Sequence, residues 1–229
     1  MDTINKVKYL SIWIFIIPFV AINTCLILIT NFHEIFPNKE HIIHNTIPYI
    51  DGGASISRTA RVFPTYLIFK PAMFFTAYLL IRYWLYIKNI ILKKHGEHKN
   101  LRKILIFGIG SAVCLVIHSI FLGIKFDYDL YKLFRRVIML VFIIFEVVAQ
   151  AYLVITLYSI KNKLLNFINL KFLKLKAILV SILVFVMIVS IPIVSMPGNK
   201  HIKHALEWDF FLGVILFYVL TFFMWKKQN

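Results

Sequence analysis

Residues 48–64 read PYIDGGASISRTARVFP. Arg58 and Arg61 in this stretch are suited to charge-assisted hydrogen bonds with phosphate. Asp51 can pair with either arginine or hold an amine or sugar group. Further along stand His118, the pair Glu146 and Gln150, and the cluster Glu207, Trp208 and Asp209. A histidine can carry a proton near neutrality. Glu146 and Gln150 are four apart and share a helix face. Asp51, Arg58, Arg61, His118, Glu207 and Asp209 therefore form the candidate set for binding a polar lipid headgroup. His118, Glu146 and Glu207 are the candidates for acid–base work, with Ser55, Ser57 and Ser119 as available hydroxyls. No hydroxyl among them is marked out as a nucleophile.

Several chemistries find no support. There is no CxxC, HExxH, P-loop or GxSxG pattern. Cys25 and Cys114 each lie inside an apolar run and read as small packing residues, not as a disulfide or metal pair. Neither a metal nor a cofactor is expected. The net charge of +16 raises the question of nucleic acid. The basic residues gather in short loops between apolar runs, which is the pattern of membrane topology and not of a nucleic-acid surface.

These groups must be positioned by helices in a bilayer. The chain has 229 residues, 60% hydrophobic, including 22 Phe, with mean hydropathy +0.81. A soluble domain of this size cannot hide so much apolar surface. About 20 apolar residues cross a hydrocarbon core. Six stretches meet that length, at about 9–31, 65–87, 104–124, 134–159, 174–196 and 206–225. The expected fold is all-α: a polytopic six-helix transmembrane bundle forming a single domain over 1–229. A β-barrel is excluded by the long runs without alternation. The first stretch reads as an uncleaved span, not a signal peptide. No internal repeat points to a pseudo-symmetric transporter.

Loop charge orients the bundle. Fifteen Lys and Arg fall on the side of both termini, against nine on the other. That excess places both termini in the cytoplasm and the long connection 32–64 outside or in a lumen. Within it, Gly52 and Gly53 allow a sharp turn with positive φ. Glu146 then lies near mid-membrane, where a bare carboxylate costs several kcal/mol, so it must face the bundle and find a partner. Gly110, Cys114 and His118 repeat every four residues as a packing seam. Lys70 and Arg82 lie near opposite ends of the second span and are expected to snorkel.

The run Pro48 to Ser55, followed by Phe63-Pro64-Thr65-Tyr66-Leu67-Ile68-Phe69, resembles the first luminal loop of the Frag/DRAM/Sfk family. His204-Ala205-Leu206-Glu207-Trp208, with Phe217, Thr221 and Phe222 downstream, resembles that family's last span. The resemblance implies six spans with cytoplasmic termini and a lipid-related role. The family includes a GPI-anchor lipid-remodelling factor, damage-regulated autophagy modulators and a protein of plasma-membrane lipid organisation. Two positions depart from its pattern. Asp51 stands where a serine is usual, and Phe134, Arg135 and Arg136 occupy a region where a histidine is common.

The leading expectation is a protein that binds, organises or helps remodel lipids or lipid-anchored substrates at the outer end of the bundle. Its partners are membrane lipids, or a lipid-anchored or other membrane protein, and not nucleic acid. The membrane is a bacterial inner membrane or a eukaryotic endomembrane or plasma membrane. The alternatives are a membrane-embedded acyltransferase or hydrolase acting on a lipid, and a proton or ion transporter centred on Glu146.

Overall fold

The computed structural model describes residues 3–39, 42–44, 46–124, 128–196 and 198–227. Five long helices are apolar enough to cross a membrane. They are α1 (Thr3–Asn31), α5 (Leu101–Phe121), α6 (Asp129–Ser159), α8 (Leu170–Ser195, apolar through Ile193) and α9 (Lys200–Met224). The chain is thus built as a multi-pass membrane protein. The stretch expected as the second span folds as the helix α4 (Tyr66–His95, 30 residues). Lys70, Arg82 and Lys88, together with its tyrosines, lower its hydropathy, and it is not among those five. Lipid cannot satisfy open backbone groups, so helices are the economical answer to these apolar runs. No β-strand occurs among the described residues; Ile168 and Trp225 form an isolated bridge.

The helices run past the expected spans at several ends. α4 continues to His95, where Gly96, at φ +85°, accepts the turn and its N–H donates to the Leu92 carbonyl. Lys93, Lys94 and His95 fill its last turn, where cations suit the helix dipole. α4 packs between α1 and α5, α5 against α6, and α9 against both α1 and α8. Tyr83, Trp84, Trp208, Phe217, Tyr218 and Trp225 are buried in the main core. α8 is the outermost helix, with much of its surface exposed.

One end of the bundle gathers the chain termini. Lys8 Nζ donates to the Trp225 carbonyl at 3.0 Å, and the Lys226 N–H donates to the Phe167 carbonyl at 2.9 Å. The short helix α7 (Lys161–Leu164) lies at the same end. The opposite end carries the long connection between α1 and α4. It contains two short helices, α2 (Pro48–Asp51) and α3 (Ile56–Ala60). Ile29, Phe36, Ile43, Ala54 and Val62 give it a small core of its own.

Candidate functional site: an apolar cleft under the long connection

The quoted stretch folds as two helical turns separated by glycine. Pro48 opens α2, where its fixed φ and missing N–H cost nothing. Gly52 ends it at φ +60°. A Cβ there would also run into the backbone carbonyl of His201, so this position needs glycine twice over. Ser55 caps α3, its Oγ accepting from the Arg58 N–H at 3.2 Å.

Asp51 serves the turn. Its carboxylate accepts from the Thr46 hydroxyl at 2.7 Å and from the Ile47 and Gly53 amides at 2.8 Å each. Those bonds, the Thr46 hydroxyl foremost, hold its carboxyl below the usual range. Neither Arg58 nor Arg61 pairs with it among the described residues.

The connection is docked on the first turns of α9. His204 Nδ1 donates to the Gly52 carbonyl at 2.9 Å, His201 Nδ1 to the Asp51 carbonyl at 3.2 Å, and Trp208 Nε1 to the Ala54 carbonyl at 2.8 Å. The Tyr49 ring meets Trp208 edge-on at 4.8 Å, and its hydroxyl reaches Asn23 Oδ1 at 3.2 Å. Glu207 lies beside the backbone N–H groups of Ile56 and Ser57. These are free amides of the first turn of α3, which an acidic group satisfies.

Beneath this cap lies a narrow cleft of about 70 Å³, walled by α1, α3, α4, α5, α6 and α9. Its walls are largely hydrocarbon, including Ile14, Phe69, Met73, Met139, Phe142 and Val214. Six polar side chains interrupt them: Ser57, Thr76, His118, Glu146, Glu207 and Tyr218. Glu207 and Tyr218 are eleven residues apart on α9, about 16 Å along a helix. The cleft thus runs from the cap toward the middle of the bundle.

Glu146 and Gln150 are both buried. Ser111 Oγ donates to Glu146 Oε2 at 2.6 Å, while Gln150 Nε2 donates to Oε1 at 3.1 Å. The Tyr218 hydroxyl also donates to Oε1. Gln150 Nε2 further reaches the Val214 carbonyl at 3.2 Å. The carboxyl therefore ties α6 to α5 and α9. His118 is buried beside the cleft, and its Nδ1 has no hydrogen-bond partner among the described residues.

The structure brings His118, Glu146 and Glu207 to one cavity, with Gln150 behind Glu146. Asp51 is exposed in the turn above, and Asp209 is exposed on α9, off the cleft. Arg58 is half-buried on α3, and Arg61 opens onto a separate recess. Among the described residues no three His, Cys, Asp or Glu are placed to hold a metal ion.

Sequence reasoning missed Tyr218 as the partner of Glu146, 72 positions away. It also miscounted Lys176, taken with the basic loop after the fourth span. Lys176 is fully buried on α8, its Nζ donating to Thr221 Oγ1 at 2.7 Å and lying 3.7 Å from the centre of the Phe217 ring. Its neighbours Lys171 and Lys174 hid it, because a charge run looks uniform while a helix turns one member inward. Residue spacing held the signal: Lys176 shares the face of buried Leu173, Val180 and Leu183.

No curated protein and no solved structure matches the chain in comparison. The family model described as Frag1/DRAM/Sfk1/Cwh43P N-terminal domain matches residues 6–227, and the chain belongs to that family.

Proposed function

We propose that the chain crosses the membrane six times, with α4 as the second span and both termini cytosolic, and that it holds a lipid in the cleft under the long connection. The lipid is free or is the anchor of another protein, and the chain presents or organises it as an accessory without transforming it. The observation that carries this reading is the cleft itself: a narrow, hydrocarbon-walled space with polar groups at its outer mouth and its inner end. Each methylene moved from water into such a space contributes about 0.8 kcal/mol. The basic excess beside the termini supports the orientation.

Mass spectrometry of lipids retained by gently purified protein tests the reading, with Val214→Trp filling the cleft. The wild type is expected to retain a defined lipid class that the folded variant loses. Equal retention by both would remove the cleft as the binding place.

One observation favours a second reading, lipid acyl transfer or hydrolysis. His118 Nδ1 is buried without a partner among the described residues, and His118 lines the same cavity as Ser57, Glu146 and Glu207. A general base must reach the proton it takes directly or through one water. Turnover of a fluorescent-chain phospholipid that disappears in His118→Gln supports this reading; turnover unchanged in that variant, or no turnover in the wild type, rejects it.

A further inference from the structure

A second recess lies at the capped end of the bundle, between the start of α6 and the chain leading into α4. It is wider than the cleft, with a volume of about 430 Å³. Arg61 and Arg135 both line it, and among the described residues none that lines it is acidic. Gly123, at φ +86°, closes the floor, where a Cβ would come within 2.9 Å of the Arg61 carbonyl. The Arg135 guanidinium lies 5.9 Å from the centre of the Tyr131 ring, and its Nε is buried without a hydrogen-bond partner.

Two guanidinium groups sharing a recess, with no carboxylate among the described residues lining it, repel each other. Burial first, then Arg135 and Arg58, pull the Arg61 pKa below the usual arginine range. Arginine does not shed its proton in proteins, so the unfavourable field is relieved by an anion. Paired guanidinium forks match the several oxygens and the charge of phosphate.

We propose that the recess lined by Arg61 and Arg135 binds a phosphate group, and that this is the phosphate of a lipid whose chain continues into the cleft. The continuation follows α6. Arg135 faces the recess, while Met139, one turn later, faces the cleft, followed by Phe142, Ile143 and Glu146. That spacing is one helical stripe. The phosphate site stands on its own recess; the assignment of its ligand to a lipid rests on the reading of the cleft given above.

The test uses the full chain in detergent micelles and three probes: a short-chain phosphatidic acid, the matching diacylglycerol, and inorganic phosphate. Wild type is expected to bind phosphatidic acid about tenfold or more tighter than diacylglycerol, the factor that one charge-assisted hydrogen bond supplies. Arg61→Gln/Arg135→Gln should erase that preference and leave diacylglycerol binding unchanged. Arg61→Lys/Arg135→Lys should keep a reduced preference, which guards against a folding defect in the glutamine variant. Equal binding of both lipids by the wild type, or a preference surviving in the glutamine variant, overturns the proposal. If inorganic phosphate binds as tightly as phosphatidic acid, the phosphate site stands and its assignment to a lipid falls. If phosphatidic acid depends on the arginines but diacylglycerol binds nowhere, the recess stands and the cleft reading fails.

Discussion

Glu146 receives three donors, from Ser111, Tyr218 and Gln150. Glutamine keeps the shape and one acceptor oxygen, and its amide can donate to Ser111 Oγ, leaving that hydroxyl's one proton for the Gly108 carbonyl 2.8 Å away. Glu146→Gln is therefore expected to unfold within about 1 kcal/mol of the wild type, whereas Glu146→Ala orphans buried groups at about 1–3 kcal/mol each. Thermal unfolding in detergent distinguishes the two. Lys176 invites the complementary experiment. Thr221→Val strips its buried amine of a hydrogen bond and should cost about 1–3 kcal/mol. Lys176→Met removes the polar group that needed it, so the double variant should be more stable than the sum of the singles implies. Additive losses would show that the Lys176–Thr221 bond carries no stability.

At the scale of elements, the long connection behaves as a docked cap with its own small core. Trp208→Phe keeps the ring but removes the bond to Ala54, a loss of about 0.5–1.5 kcal/mol. Hydrogen exchange should rise over residues 46–60 and stay unchanged in α4 and α5. Asp51 makes the same cap sensitive to acid. Its folded pKa lies below the ordinary carboxylate value of about 3.9, so its contribution is complete above that value and is lost as pH falls through the folded value. Protection of the 46–53 amides, corrected for intrinsic rates, should hold from pH 7 to about 5 and drop below about 4. Asp51→Asn should weaken protection at neutral pH and abolish that step. Little of this cap was legible beforehand. Gly52 announced a turn, but four- and five-residue helices lack the periodicity that marks longer ones. Their docking depends on His204 and Trp208, some 150 positions away. The long helices were legible because apolar length is a local property; the pairing of Glu146 with Tyr218 is not.

At the scale of the whole molecule, the basic end and the capped end are the two poles of the bundle. On the proposed orientation, Glu97→Cys is expected to react with a membrane-impermeant maleimide only from the cytosolic side, and Ile50→Cys only from the other. Cys25 and Cys114 are buried and should stay silent. Labelling of both new sites from one side would reject an even number of crossings arranged this way. The cleft draws walls from α1, α3, α4, α5, α6 and α9, which is why no single segment of sequence displays it. What sequence did display was the cost of burying Glu146, which already required a partner on another helix.

α8 contributes no wall to the cleft, and its outward residues Ile178, Ile182 and Phe185 are exposed. That leaves a stripe on which a fluorophore or photo-crosslinker can be mounted without disturbing ligand occupancy. Probes placed there would report whether copies meet in the bilayer while lipid binding is followed independently in the same sample.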